Sequence, residues 1–330
     1  MRSLNRTGPT VLVTGASGFI GSAVARRMVS DGLSVRAATH RKLILLPPGV
    51  VVVNSTELGG DFDWGPVVSG CHSIVHTAAR VHVMRDSARD PLSEFRRVNV
   101  GGTLALARKA AEAGVRRFVF LSTVKVNGEQ TQLGRPFTAE DTPAPEDAYG
   151  LSKHEAEAAL RQLGATTGME VVSVRPVLVY GPGVKANFLA MMRWVAKGLP
   201  LPFGAIENRR SLVGLDNLVD LVAACVRHPS AANQTFLVSD GEDISTKEML
   251  LRTAVALGRH ARLFPMPQNI LEAGAMLVGK GKIVRRLLGS LQVDITRTRQ
   301  LLDWTPPVSV DQQLASTADW FLTRERTLHK

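Results

Sequence analysis

Through its first half the chain alternates short apolar runs with longer stretches in which apolar residues recur every three or four positions. Residues 10–14 (Thr-Val-Leu-Val-Thr) read as a buried strand, and a glycine-punctuated helix follows over 18–31. Strands are predicted at 33–39, 50–54 and 73–77. A long helix then spans 91–113, with Asp90 as its N-cap, Pro91 at its first position, where no backbone donor is needed, and Gly114 as its stop. Next come a strand at 117–122, a helix at 148–168 and a strand at 171–175. Apolar strands separated by helices at this rhythm predict a doubly wound parallel sheet covered on both faces.

After Pro176 the rhythm loosens. Helices are predicted at 187–197, at 216–227, from the Ser245 cap to 257, and at 310–323, with a strand at 234–238. The expected architecture is α/β: a Rossmann-type domain over 1–176 and a smaller mixed α/β portion over 177–330. The boundary is soft and allows part of the second to return to the first. A length of 330 residues suits one large α/β domain or a core with a smaller partner.

Composition narrows the classes. With 45% hydrophobic and 21% charged residues, disorder and fibrous scaffolds are excluded. Cys71 and Cys225 form no C-x-x-C pair, so no cysteine-based zinc or redox motif exists, and such usage suits a cytoplasmic protein. Aromatic residues at 5% leave few platforms for stacking single-stranded nucleic acid. A formal charge of +11 favours an anionic partner without choosing among nucleic acid, a membrane surface and phosphorylated small molecules. The apolar run at 43–53 is broken by Pro47 and Pro48, and no apolar h-region precedes the first strand, so neither a span nor secretion is expected. Residues 269–291 are apolar with Lys280, Lys282, Arg285 and Arg286 interspersed. They read as a core-facing helix with solvated cations, and otherwise as an interfacial helix at a membrane surface.

The sharpest local signal is Gly15, Gly18 and Gly21 at a spacing of three, between the first strand and the first helix. Glycines there permit a tight turn, let backbone N–H groups approach a pyrophosphate and allow close helix–strand packing. With Phe19 and Ile20 they form a candidate dinucleotide loop, its helix start supplying partial positive charge. The second strand ends Ala38-Thr39-His40-Arg41-Lys42, without the acid that commonly holds an NAD ribose. Arg41 could pair with a 2′-phosphate and Thr39 could donate to one, which favours NADP(H) over NAD(H).

Tyr149 and Lys153 lie four apart on a predicted helix and so share a face. An ammonium and an oxidised nicotinamide near the phenol would lower its pKa from about 10, making Tyr149 a general acid or base for carbinol–carbonyl interconversion. The strand ending in Ser122-Thr123 offers hydroxyls for the substrate oxygen. His72, His76 and His82 straddle a strand end without carboxylates to complete a metal site, and no metal is expected. His76 reads as a packing residue near the nicotinamide ribose and His82 as a contact of the substrate loop.

Taken together, T-G-A-S-G-F-I-G (14–21), H-T-A-A (76–79), V-N-V-G-G-T (98–103), F-V-F-L-S-T (118–123), Y-G-L-S-K (149–153) and R-P-V-L-V-Y-G-P-G (175–183) resemble an extended short-chain dehydrogenase/reductase of the NAD-dependent epimerase/dehydratase family. The resemblance implies a catalytic trio of Thr123, Tyr149 and Lys153. It implies cofactor contacts at Ala78, Ala79, Asn99 and Pro176, with Glu57 and Leu58 near the adenine. It also implies that Asn187 and Arg210 reach the diphosphate of a sugar nucleotide, and that two copies dimerise through the helices around 91–113 and 149–168. Val124-Lys125 stands where dehydratases of the family carry Asp-Glu, which argues against dehydration.

The resemblance implies one of two activities, both moving a hydride at C4 of a UDP-linked hexose or N-acetylhexosamine. The missing acid after the second strand tilts the expectation to a 4-ketoreductase, and the whole-chain resemblance to bacterial proteins of lipopolysaccharide O-antigen sugar synthesis implies UDP-4-keto-6-deoxy-N-acetylhexosamine as its substrate. The alternative is a UDP-glucose or UDP-GlcNAc 4-epimerase with retained NAD. A non-catalytic cofactor sensor or nucleic-acid binder of the same fold is motivated only by the charge. Retention of Tyr149 and Lys153 argues against it, and no nucleic-acid partner is expected.

Overall fold

The structure is a computed structural model that describes residues 8–40, 46–55, 58–81, 90–277 and 281–328. In chain order the first half runs β1 (Thr10–Thr14), α1 (Phe19–Ser30), β2 (Ser34–Thr39), β3 (Val51–Asn54), α2 (Gly65–Val68), β4 (Ser73–His76), α3 (Pro91–Phe95), α4 (Thr103–Glu112), β5 (Arg117–Leu121), α5 (Ala148–Thr167) and β6 (Glu170–Pro176). The second half runs β7 (Leu178–Tyr180), α6 (Ala186–Ala196), β8 (Arg210–Gly214), α7 (Leu215–Arg227), β9 (Thr235–Val238), β10 (Asp243–Ile244), α8 (Thr246–Ala256), α9 (Gln268–Leu277), α10 (Gly281–Leu288), α11 (Thr296–Leu302) and α12 (Val310–Leu328).

Alternation along the strands divides the core into two layers. Val11 and Val13 face Val24, Met28, Leu218 and Val222 of α1 and α7, whereas Leu12 faces the other way with Ile74, Phe118, Leu106 and Leu160. Both faces are therefore covered, as parallel strands this apolar require. The main sheet has the order β3-β2-β1-β4-β5-β6-β9, and each of its pairings is parallel. Its order reverses between β1 and β4, which opens a crevice at the carboxyl ends of the strands, where ligands of such sheets bind. Chain from the second half returns to this sheet: β9 pairs with β6, and α7 lies on α1 with Arg27–Asp220 and Arg227–Asp31 ion pairs across the contact. A smaller sheet of order β10-β8-β7 packs over a third core containing Tyr180, Phe188, Met192, Leu212, Met249 and Leu314.

Three expectations are corrected. The helix predicted over 91–113 is interrupted: between α3 and α4 lies a π-helical stretch, Arg96–Gly102. Its widened turn holds Asn99 in the interior and brings Gly102 so close to Leu58–Gly59 that a Cβ would lie 2.6 Å from Gly59 N. Where one helix was expected over 269–291, the described residues give two helical segments, α9 ending at Leu277 and α10 running from Gly281 to Leu288. Strands β7, β8 and β10 were not predicted: β7 and β10, at 3 and 2 residues, are too short for a period to show, and β8 opens on a charged residue that was considered only as a ligand contact. Ser245 does cap α8, within a full capping box completed by Glu248. Among the described residues no helix is long and apolar enough to cross a membrane.

Candidate active site

The glycine loop sits at the carboxyl end of β1. Gly15 adopts φ +67°, and a Cβ there would lie 2.8 Å from Ala78 N. At Gly21 a Cβ would lie 2.3 Å from Gly15 O and 2.6 Å from Thr77 Oγ1, so the first turn of α1 lies directly on the loop. Gly18 N donates to Gly15 O (2.8 Å), and no side chain caps α1. The N–H groups at the start of α1, from Phe19 through Gly21, are thus presented as a bare anion site. The cradle fits the pyrophosphate of a dinucleotide. Gly21→Ala is expected to abolish dinucleotide binding, with no dinucleotide released on denaturing the purified variant. Bound dinucleotide at native stoichiometry would show that this contact is not required.

Across the crevice, α5 begins at the Asp147 N-cap, whose carboxylate accepts from Gly150 N (2.7 Å). Tyr149 stands in the first turn, half-buried, with its ring 6.0 Å from that of Phe95. One turn on, the Lys153 ammonium is buried. It donates to Leu121 O (2.7 Å) and lies 4.2 Å from the centre of the Phe120 ring. The tip of β5 therefore anchors the lysine while presenting Ser122 and Thr123. Thr123 Oγ1 accepts from Lys125 N (3.3 Å), capping the short turn Val124–Val126. Ser122 Oγ is buried and has no hydrogen-bond partner among the described residues, an orphan that a ligand oxygen in the crevice would satisfy.

The electrostatics depart from the sequence expectation. Burial pushes the Tyr149 phenol above the usual tyrosine pKa, and the Asp147 charge adds to that rise. Burial brings Lys153 down to about 7, against a smaller opposing pull from Glu157. The physical reason is desolvation: a lysine held near neutrality beneath an aromatic ring offers the phenol little positive charge. In the protein alone Tyr149 is therefore protonated at neutral pH.

Other candidates fall into distinct places. Asn99 is turned to the protein: Oδ1 accepts from Arg80 N (2.8 Å), and Nδ2 donates to Arg80 O (3.0 Å) and Ser152 Oγ (3.0 Å). It braces the segment after β4, which carries Ala78 and Ala79 into the crevice, against α5. Pro176 is buried at the end of β6, paired with Val238, and Leu58 packs beside the second core layer. Thr39 is buried, and its hydroxyl donates to Ser17 Oγ (2.8 Å), tying β2 to the glycine loop. That bond uses the donor expected for a 2′-phosphate. Arg210 Nη1 donates to Gly289 O (2.9 Å), bracing β8 against the segment after α10, and this guanidinium contact is with backbone where a diphosphate was expected. Asn187 is exposed in the first turn of α6. Arg41, Glu57 and His82 lie outside the described residues.

His76 is a core residue. Its Nδ1 meets Thr14 Oγ1 (2.7 Å) and its Nε2 meets Thr103 Oγ1 (3.0 Å). Burial, reinforced by the Lys153 charge, lowers its pKa to about 3, so it stays neutral in the fold. The unfolded chain takes up this proton near pH 6.5, so folding stability is intact above that pH and declines as pH falls toward 3, by up to about 1.4 kcal/mol per pH unit. In denaturant titrations across this window, His76→Gln should flatten the decline. Among the described residues no group of three or more His, Cys, Asp and Glu side chains could hold a metal ion.

A network beneath the site was missed. Glu157, one turn beyond Lys153, is completely buried and accepts a bidentate pair from Arg175 of β6, Nε to Oε1 (2.9 Å) and Nη2 to Oε2 (2.6 Å). Arg175 Nη1 also donates to Asn127 Oδ1 (3.0 Å), just after the turn that Thr123 caps. The 149/153/157 spacing signalled one helix face. Its buried partner lies on a strand, where no spacing rule reaches.

This arrangement, a phosphate cradle at one strand end facing a tyrosine–lysine helix and a pair of hydroxyls, defines a nicotinamide-dinucleotide enzyme of the short-chain dehydrogenase type. The family model described as NAD dependent epimerase/dehydratase family matches residues 11–239. A UDP-glucose 4-epimerase of Vibrio cholerae is 45% identical over 314 residues, 95% of each chain. The chain belongs to the NAD-dependent epimerase/dehydratase family. Among solved structures, UDP-glucose 4-epimerase of Thermotoga maritima with UDP-glucose superposes with a TM-score of 0.76 at 21% identity, covering 96% of this chain and 99% of that one. The Thermus thermophilus UDP-glucose 4-epimerase complex with NAD gives 0.75 at 24%, covering 95% and 99%. At these identities the likeness shows the fold.

Proposed function

We propose that this chain is a UDP-hexose 4-epimerase working with a retained NAD. The observation that carries this reading is the 45% identity to the Vibrio cholerae UDP-glucose 4-epimerase through 95% of both chains. It moves the assignment away from the NADPH-dependent 4-ketoreductase, whose basis was the missing acid after β2 and a resemblance to bacterial O-antigen proteins. The NADP(H) preference is withdrawn with it: the Thr39 hydroxyl is bonded to Ser17 Oγ, and the Thermus thermophilus neighbour holds NAD.

When bound, NAD supplies the hydride acceptor and donor for C4 of the sugar. The chain does the rest. The loop around Gly15, Gly18 and Gly21 holds the pyrophosphate, and Ala78 and Ala79 line the cofactor side of the crevice. Ser122 Oγ and Thr123 Oγ1 hold the C4 oxygen at the tip of β5. The positive charge of an oxidised nicotinamide beside Tyr149 would favour its phenolate, and in that form Tyr149 would take the proton of the C4 hydroxyl and, as the phenol so formed, return it to the C4 oxygen of the epimer. Lys153, fixed to Leu121 O, keeps the tyrosine's helix in register with that tip.

The test needs no added coenzyme. Purified protein given UDP-glucose, or UDP-GlcNAc, should yield the C4 epimer, read by chromatography of the nucleotide sugars. Conversion of a UDP-4-keto-6-deoxy sugar only on supply of NADPH, with neither UDP-hexose inverted, would replace the epimerase by the reductase.

A further inference from the structure

Lys125 follows Thr123 by two residues and has no part in the chemistry described above. Its ammonium pairs with Asp147 and donates to Glu129 Oε1 (2.9 Å), and the three side chains are only 20%, 19% and 18% exposed. Asp147 is the N-cap of α5, two residues before Tyr149. The backbones meet at the same point. A Cβ on Gly150 would lie 2.9 Å from Lys125 O, and Ala144 N donates to Val126 O (2.9 Å). The turn that presents Thr123 and the helix start that presents Tyr149 are therefore joined by backbone contacts and by the charge of one lysine.

We infer that Lys125 is a positioning residue for Tyr149: its ammonium holds Asp147, and thereby sets the place of the phenol beside Thr123 and the charge that the phenol meets. The inference rests on the role proposed for Tyr149. Other charged or titratable groups come from each element around this helix start. Lys153, His154 and Glu157 lie on α5, the last paired with Arg175 of β6, and Glu146 accepts from Glu129 N (3.2 Å). Arg80 lies 5.8 Å from the centre of the Phe95 ring, and Arg96 is paired with Glu155 (2.6 Å). His76 stands buried and neutral at the end of β4. Asp147 is the anion whose charge raises the Tyr149 pKa, and Lys125 is its cationic partner at the shortest contact.

The chain has two tyrosines, and the second, Tyr180, is fully buried with its hydroxyl on Asp240 (2.8 Å), so phenolate formation can be assigned. NAD-loaded protein is titrated by tyrosinate difference absorbance, with Tyr149→Phe as the blank, alongside the pH profile of kcat/KM. In Lys125→Met the phenol midpoint and the acid limb should both rise by about one pH unit, about a tenfold loss of phenolate at neutral pH. Lys125→Arg should stay near native. Asp147→Asn, which keeps a capping oxygen, should lower the midpoint, and Lys125→Met/Asp147→Asn should return it toward the native value. A phenol midpoint that stays fixed in Lys125→Met while only the unfolding midpoint falls would reduce Lys125 to a structural tie and overturn the inference. If Lys125→Met does not fold, Asp147→Asn decides, and an unmoved midpoint there also overturns it. Failure of the native protein to invert any UDP-hexose would refute the epimerase reading separately, since the phenol titration needs no turnover.

Discussion

Tyr149→Phe is expected to lower kcat by about 10³-fold, within the 10² to 10⁴ range of a positioned general acid–base, while the dinucleotide remains bound. The glycine cradle at the start of α1 and the segment after β4 are independent of the phenol oxygen, so only proton transfer is lost. Phe95 meets the Tyr149 ring at 6.0 Å between centroids, a contact phenylalanine should keep. The check is paired: epimer formation from UDP-glucose, and dinucleotide released on denaturation. Turnover near the native rate would remove Tyr149 from the mechanism and, with it, the account of Lys125.

The second large effect is on stability. Glu157→Ala leaves the Arg175 guanidinium, 3% exposed, without its carboxylate and with only Asn127 as a side-chain partner among those described. Breaking one side of a buried pair costs about 3–5 kcal/mol, because a desolvated charge is stranded. Against a total of about 5–15 kcal/mol for a typical domain, such a loss is a large fraction. The urea midpoint should fall at unchanged slope. Glu157→Leu combined with Arg175→Met should lose less than either single change, since no charge then stays buried unpaired. A loss below about 1 kcal/mol in Glu157→Ala would mean that water reaches the pair. The same network ties α5 to β6 and to the segment after Thr123, so the single variant should also lose activity in proportion to the unfolded fraction at the assay temperature.

How much of the site was legible in advance depended on the range of the interaction. Gly15, Gly18 and Gly21 were legible because a tight turn, a phosphate approach and a helix contact all act within one strand–turn–helix unit. Tyr149 and Lys153 were legible because four residues make one helical turn. Thr39 and Arg210 make contacts within the protein that their spacing did not foresee, for a common reason. A hydroxyl or guanidinium has several geometrically sound partners, and which one lies nearest depends on segments remote in the chain: Ser17 for Thr39, Gly289 for Arg210. The π-helical turn directs the Asn99 side chain to the backbone of Arg80, a contact no local period announces.

Local order, then, was written in the chain: the parallel-strand core, the bare helix start, the tyrosine–lysine face and the Ser245 cap each follow from side-chain period or backbone freedom over a few residues. Folding settled what depends on distance and dielectric. It brought β9 back onto the main sheet, buried His76 and Lys153 deeply enough to lower both pKa values, and set Arg175 against Glu157 and Lys125 against Asp147. No residue type carries its own desolvation or its long-range partner, because both belong to the packed surroundings that the whole chain creates.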